Sequence, residues 1–337
     1  MTPVILLSGF LGSGKTTLLQ RLLADPHLAG AAVLINEFGE VGLDHHLLDR
    51  IDDNVVLLKS GCICCTVRGE VADALGNLDS LRARGEIDFD RVVIETTGLA
   101  DPYPVLQTLT AHPVLRSHFH NGGVLVTVDA VNSPLQLDHR AEALRQIAAA
   151  DRIVLTKTDL APPTAQVALR QRLAHLNPGA SVVTSAGSVA AILQDFGPLS
   201  FAGALGKTDH LCDADCGHHH HHGFHDHDAP LSVTSFSLLI EEAIDWTKFG
   251  IWLTLLLHKH GDRILRVKGI LALAGEDRPV AIHGVQHLVH APTHLDHWPD
   301  DGARHSRLVF ILEGLDPDLI RRSLAAFTGR SGTRTAA

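Results

Sequence analysis

The sequence predicts an α/β fold: a P-loop doubly wound, mostly parallel sheet, followed by a small α+β C-terminal domain. Three observations carry this. Short apolar runs alternate with longer helical patterns up to about residue 200, a glycine-rich loop sits between the first run and the first helical pattern, and the periodicity resumes after residue 230 in a different element order.

The strand candidates of the first part are residues 3–8, 31–36, 54–58, 91–95, 123–129, 152–157 and 181–184. Most are Val, Ile and Leu runs with little alternation, as parallel strands buried on both faces require. Between them, residues 15–24, 70–83, 141–149 and 164–175 read as helices, and Asn177-Pro178-Gly179 is a breaker. Residues 197–230 collapse into Gly, Asp, His and Cys with nothing able to bury a core. Beyond them, 231–239, 264–274, 280–289 and 307–312 read as strands, and 244–259 and 316–327 as helices. The expected organisation is therefore a nucleotide domain at 1–200, a flexible His/Cys/Asp-rich segment at 201–230, a C-terminal domain at 231–327 and a disordered tail at 328–337. His283, His287, His290, His294 and His297 fall at helical steps, but Pro292 and the strand-like run before it argue against a helix, so the stripe is read as coincidence.

Composition narrows the classes. The chain has 337 residues, 45% of them hydrophobic, and 28 basic against 38 acidic side chains leave a net charge of −10. This argues against nonspecific binding to nucleic acid, because phosphate neutralisation needs clustered Lys and Arg that the sequence does not offer, and no nucleic-acid partner is expected. Met1 leads straight into an apolar strand and a glycine loop, without the pattern of a secretory signal, and no run is long enough to span a bilayer. The expectation is a cytoplasmic protein with no membrane association, whose close-spaced cysteines serve metal or redox chemistry.

Gly9-Phe10-Leu11-Gly12-Ser13-Gly14-Lys15-Thr16 fits G-x-x-x-x-G-K-[ST] between a strand and a helix. Gly9, Gly12 and Gly14, with Ser13, let backbone N–H groups face phosphate, Lys15 neutralises the β and γ oxygens, and the Thr16 hydroxyl reaches Mg²⁺. Thr156-Lys157-Thr158-Asp159 follows a strand on the same edge, where Asp159 can accept from guanine N1–H and the exocyclic amine while the Lys157 stem covers the ring. The usual first residue of that motif is Asn, so Thr156 is a departure. Thr184-Ser185-Ala186 reads equally as a base-contacting turn or an ordinary strand-to-helix turn. Glu95 ends a strand where a carboxylate can hold the Mg²⁺ shell or order water, and the Gly98 N–H can sense a γ-phosphate. Glu37 and Glu40 sit where a first switch loop would lie, with solvated carboxylates as the simpler reading.

Cys62, Cys64 and Cys65 supply three soft ligands suited to Zn²⁺, with Co²⁺ and Cu⁺ in competition. A closed structural zinc site takes four ligands, so three leave a position open, as transfer of an ion requires. A redox pair and buried cysteines remain as alternatives.

Together Gly9 to Thr17, Asn36-Glu37-Phe38-Gly39-Glu40-Val41-Gly42, Gly61-Cys62-Ile63-Cys64-Cys65, Glu95-Thr96-Thr97-Gly98-Leu99-Ala100-Asp101-Pro102 and Thr156-Lys157-Thr158-Asp159 resemble the CobW-type metallochaperone GTPases. Residues 263–270 and 307–310 look like that family's C-terminal module, so the resemblance covers nearly the whole chain except its His-rich segment. It implies a SIMIBI-class P-loop GTPase that binds a transition metal and hands it to a client. Lys15, Thr16 and Thr17 would then bind phosphate and Mg²⁺, Glu95 would support Mg²⁺ and water, Asp159 would read guanine, and Cys62, Cys64 and Cys65 would hold the transported ion, with Glu37 as a further candidate ligand. Thr156 is a tolerated variation in that family.

Cys212, Cys216, His218, His219, His220, His221, His222, His225 and His227, interleaved with Asp, form a patch that reads as a loose accessory metal arm or as an unconstrained solvated loop. The expected activity is slow hydrolysis of GTP to GDP and phosphate, with GTP, Mg²⁺ and Zn²⁺ or Co²⁺ as the bound species. The expected partner is a client metalloprotein, and a homodimer is an option. The competing readings are a nucleotide-stabilised metal buffer and an ATP-using kinase on the same loop.

Overall fold

The computed structural model describes residues 1–35, 57–59, 67–193, 233–298 and 304–328. The expected 201–230 segment lies outside them, as do residues 329–337 of the expected tail. The chain divides into two compact units, Met1–Ser200 and Phe201–Ala337.

In the first unit seven strands, β1 (Thr2–Gly9), β2 (Ala31–Ile35), β3 (Leu57–Lys59), β4 (Arg91–Glu95), β5 (Phe119–Asp129), β6 (Arg152–Thr156) and β7 (Ser181–Thr184), form one sheet in the order β3-β2-β4-β1-β5-β6-β7. Every pairing is parallel. The helices are α1 (Lys15–Leu23), α2 (Val67–Ala83), α3 (Tyr103–Ala111), α4 (Leu115–His118), α5 (Ser133–His139), α6 (Ala141–Ala149), α7 (Pro163–Leu176) and α8 (Val189–Leu193). Leu18, Leu19, Leu22 and Leu23 of α1 bury one side of the sheet against Ile5, Leu7, Val33, Val93, Leu125 and Val154. A helical stripe thereby covers the fully apolar runs that mark a parallel sheet.

This order sets the carboxyl ends of β4, β1, β5 and β6 side by side. Leu7 is in register with Glu95, Gly9 with Thr127, and Asp129 with Thr156. In open α/β sheets that edge, where the strand order reverses about β1, is where ligands bind.

Two departures from the sequence expectations have local causes. β5 begins at Phe119, before the expected residue 123, because it continues through an irregularity: Val4 pairs with Asn121 and Ile5 with Gly123, which leaves Gly122 as the extra residue. Helices α3, α4, α5 and α8 were absent from the sequence expectation. In α3 and α5, Pro104 and Pro134 stand in the first turn, where a missing N–H costs nothing, although proline normally argues against a helix.

The described part of the second unit holds one antiparallel sheet, from Leu288–Val289 at one edge through Val280–Val285, Ile264–Leu271 and Ser306–Glu313 to Val233–Ile240 at the other, with Thr293–His294 paired to Val280–Val285. Its strands are β8 (Val233–Ile240), β9 (Ile264–Leu271), β10 (Val280–Val285), β11 (Leu288–Val289), β12 (Thr293–His294) and β13 (Ser306–Glu313), and its helices are α9 (Trp246–His260) and α10 (Pro317–Thr328). Alternate residues Phe236, Leu238 and Ile240, and Leu308, Phe310 and Leu312, pack against Phe249, Trp252, Leu253 and Leu256 of α9 and Ile320 and Leu324 of α10. Phe236 stacks on Phe310 with ring centroids 5.3 Å apart, and Trp252 donates its Nε1–H to Ser323 Oγ at 3.0 Å. α9 starts two residues later than expected, where Asp245 accepts from the Lys248 N–H at 2.9 Å. The expected strand 280–289 breaks at Gln286, whose φ of 51° turns β10 back into β11. The histidine stripe thus lies on short strands and turns rather than on a helix, as expected.

Candidate functional site

The loop from Gly9 to Lys15 wraps the amino end of α1. Gly9, Gly12 and Gly14 have φ of 143°, 70° and 88°. A Cβ on Gly9 would stand 2.3 Å from Thr127 Oγ1 and 2.7 Å from Ser13 Oγ, so only glycine fits where the loop leaves β1. Ser13 and Thr127 share a hydrogen bond of 2.6 Å that fastens the loop to β5. Gly14 caps α1 with no side-chain hydrogen bond, and the first turn carries no acidic residue. First-turn N–H groups left this way, together with the positive end of the helix dipole, favour an anion.

Lys15 is buried, and its Nζ donates to the carbonyls of Gly9 at 3.0 Å and Phe10 at 3.3 Å. Burial lowers its pKa, and the nearby Glu95 charge pulls it back upward. Thr16 donates its hydroxyl hydrogen to Glu95 Oε1 at 2.7 Å, and Glu95 is buried at the end of β4. A hydroxyl and a carboxylate held together are hard oxygen donors of the kind Mg²⁺ takes beside nucleotide phosphates, so these residues fit that ion. Thr17, the next residue, is exposed. Thr96 continues the wall, its N–H bonded to the Leu7 carbonyl and its hydroxyl to Ser8 Oγ, each at 3.0 Å.

Gly98 presses on the glycine loop from the other side. A Cβ there would lie 2.7 Å from both N and Cα of Leu11, a distance backbone atoms do not yield easily. The loop carrying Gly98 is gripped from α6 by Gln146, whose Nε2 donates to the carbonyls of Gly98 and Ala100, both at 3.1 Å.

On the opposite flank, Thr156 donates its hydroxyl to the Ser13 carbonyl at 2.7 Å, so the residue that replaces the usual Asn ties β6 to the phosphate loop. Lys157 adopts φ 53° and reaches back over the loop, donating to the Gly12 carbonyl at 2.8 Å and to Asp129 Oδ2 at 2.7 Å. Asp129 also accepts from the N–H groups of Val131 and Asn132 and from the Asn132 side chain. Burial acts to raise the Asp129 pKa, but the hydrogen bonds from Lys157, Asn132 and the backbone outweigh it and hold the carboxyl below its ordinary value. Asp159 is exposed, two residues beyond the anchored Lys157, with its carboxylate open to accept from a base. Ser185, just after β7, donates its N–H to the Leu155 carbonyl at 2.8 Å, which places the 184–186 turn beside β6.

The glycine loop, Lys15, Thr16, Glu95, Gly98, Thr156, Lys157 and Asp159 therefore converge on one sheet edge. Glu37, Cys62, Cys64, Cys65 and the histidines 218–222 lie outside the described residues. Among the described residues no group of three or more His, Cys, Asp or Glu is placed to hold a metal, and no helix is long and apolar enough to cross a membrane. Asp129 and Gln146 were missed in the sequence. Asp129 stands at a strand's carboxyl end, the same signal that singled out Glu95, whereas Gln146 reads as one polar position on an amphipathic helix.

This fold and site define a P-loop GTPase. Within that class the chain belongs to the CobW family: residues 3–184 match the CobW/HypB/UreG nucleotide-binding domain, and residues 233–328 match the cobalamin synthesis protein cobW C-terminal domain. The chain is similar to the zinc chaperone YjiA of Escherichia coli (strain K12), 36% identical over 327 residues that cover 97% of this chain and 98% of YjiA. It is 30% identical over 284 residues to the zinc-regulated GTPase metalloprotein activator 1 of Schizosaccharomyces pombe, covering 74% of this chain and 67% of that protein. The crystal structure of the Zn(II)-bound YjiA GTPase from E. coli aligns with a TM-score of 0.69 at 30% identity, over 97% of this chain and 99% of that one.

Proposed function

We propose that the protein is a GTP-hydrolysing metallochaperone that takes up zinc, with cobalt as the next candidate, at Cys62, Cys64 and Cys65, and passes it to a client metalloprotein. One observation carries this reading. Glu95, which holds Thr16 of the phosphate loop, is in register with Ile35, and Ile35 with Lys59. β2 ends at Ile35, two residues before Glu37 in the sequence, and β3 ends at Lys59, three residues before Cys62, so both stretches of chain start from the sheet edge that carries Glu95.

In this mechanism the N–H groups of Gly12 and of residues 14–16 bind the phosphates, and Lys15 moves from the Gly9 and Phe10 carbonyls onto the β and γ oxygens. Thr16 and Glu95 would hold Mg²⁺, which would supply charge neutralisation on the phosphates. Asp159 accepts from guanine, while Lys157, tied to Gly12 and Asp129, lays its stem along the ring. The Gly98 N–H meets the γ-phosphate. Three thiolates bind the ion and leave one position open, and their deprotonation makes uptake weaken at low pH. Hydrolysis relaxes the loops and frees the ion.

Two comparisons test the reading. GTP should bind well ahead of ATP, and Asp159→Ala should erase that preference; equal binding by the unaltered protein points to a kinase instead. Zinc-loaded protein should activate an apo zinc enzyme with GTP and much less with a non-hydrolysable analogue. Activation indifferent to nucleotide leaves a metal buffer, which the histidines at 218–222 would suit.

A further inference from the structure

Gln146 occupies a place that an apolar side chain would fill at lower cost. It stands on α6 beside the buried Ala143, Ile147 and Ala149 and is only 1% exposed. Its Nε2 spans two carbonyls of one turn, those of Gly98 and Ala100, while its Oε1 is buried with no hydrogen-bond partner among the described residues. The amide orientation is fixed by its surroundings, because the flipped form would set oxygen against two carbonyl oxygens. Buried polar atoms are nearly always paired, so a glutamine that leaves its acceptor unmatched while using its donor twice is held there by the donor contacts.

The turn it grips is closed by the Ala100 N–H on the Thr97 carbonyl at 3.1 Å and lies against Leu11 at Gly98, closer than any Cβ would allow. Arg145, the preceding residue of α6, places Nη1 4.0 Å from Asp101 Oδ2 and extends the grip by one residue. Among the described residues there are no cis peptides, and in a planar trans peptide the C=O and N–H point opposite ways. The Thr97 carbonyl is held by the Ala100 N–H, so the Gly98 N–H of the same peptide points the opposite way, and Gln146 steadies the turn that makes this bond through the Gly98 and Ala100 carbonyls. The turn is held between α6 and the phosphate loop, with its backbone direction set by one side chain.

We propose that Gln146 is a positioning residue for the γ-phosphate side of the nucleotide site, fixing the Thr97–Ala100 turn so that the Gly98 backbone is aimed before nucleotide arrives. This rests on the reading of Gly98 as the γ-phosphate contact. Pre-organised backbone donors stabilise charge developing on a transferring phosphoryl group, and misplacing them lowers kcat more than ground-state binding. GDP lacks the γ-phosphate that this turn would meet, so its affinity should be independent of Gln146.

The test uses the full chain with Gln146→Met, which keeps the shape and removes both donors, and Gln146→Glu, which keeps the shape and replaces the donor nitrogen with an acceptor. In both, kcat for GTP should fall about three- to tenfold, the scale of one or two neutral hydrogen bonds, while the Kd for GDP stays within twofold. In the unaltered protein, the Gln146 side-chain amide NMR signals should shift with a GTP analogue and hold still with GDP. That measurement stands even where a variant fails to fold. An unchanged kcat in both variants, a GDP affinity that falls in step with kcat, or amide signals that respond equally to both nucleotides overturns the proposal. Absence of GTP hydrolysis by the unaltered protein would instead overturn the GTPase reading itself.

Discussion

The Thr16 hydroxyl and the Glu95 carboxylate meet at 2.7 Å, joining the first turn of α1 to the end of β4. That contact exists because β1 and β4 are parallel neighbours with Leu7 opposite Glu95, so the loop leaving β1 returns its helix over the end of the adjacent strand. It makes the phosphate loop and the Glu95-Thr96-Thr97-Gly98 segment one mechanical unit.

Removing either half of this pair should disable hydrolysis before it disables folding. Glu95→Gln and Thr16→Ala are each expected to lower kcat for GTP by about 10²-fold, the usual cost of one pre-organised electrostatic group. Steady-state phosphate release across a Mg²⁺ titration measures this, and the variants should also require more Mg²⁺. GDP affinity in the absence of Mg²⁺ should change little.

Asp129 should prove as important as the residues the motifs name. It accepts four hydrogen bonds and pairs with Lys157 while almost wholly buried. Asp129→Ala strips partners from a lysine and a turn at once, and about 2–4 kcal/mol of stability should be lost in urea denaturation. GDP binding should weaken too, because Lys157 loses the contact that keeps it over Gly12. The folded pKa of Asp129 lies below its unfolded value, so this stabilisation is complete above the ordinary carboxylate range near 3.8 and is lost as pH falls below it.

Lys15 carries the opposite signature. Burial lowers its pKa from the usual 10.5, so in the folded protein it gives up its proton before an exposed lysine does. Its folded pKa is below its unfolded one, so raising the pH through that interval relieves the cost of a buried charge and adds stability. Phosphate affinity moves the other way, since only the charged form neutralises oxygens. GDP affinity measured from pH 7 to 10.5 should therefore decline before the ordinary lysine range is reached. Lys15→Arg, which keeps its charge throughout, should show only the later decline that loss of the guanine N1 proton imposes on the Asp159 contact.

Much of this was legible in the sequence, for identifiable reasons. The seven described strands of the first sheet were visible, most of them because parallel strands buried on both faces are written as Val, Ile and Leu runs; the edge strand β7, Ser-Val-Val-Thr and half-buried, is a weaker case. The glycine loop was visible because its conformation admits few residue types, as the 2.3 Å approach at Gly9 shows. What stayed hidden depends on partners distant in sequence. Thr156 reads as a departure in a base-reading motif, and nothing in the sequence shows that its hydroxyl bonds to the Ser13 carbonyl, 143 positions away. Gln146 reaches back 48 positions to Gly98 from a helix whose own pattern marks it as merely polar. Short helices such as Tyr103–Ala111 escaped because prolines in the first turn look like breaks.

The coupling of thiols to nucleotide is the centre of the account, and zinc affinity in three nucleotide states tests it most directly. Competition titration against a chromophoric zinc chelator should be run with a GTP analogue and Mg²⁺, with GDP and Mg²⁺, and without nucleotide. Zinc should bind about tenfold or more tightly with the GTP analogue than in the other two states, a coupling typical of two linked sites. The same zinc affinity in all three states would contradict the account.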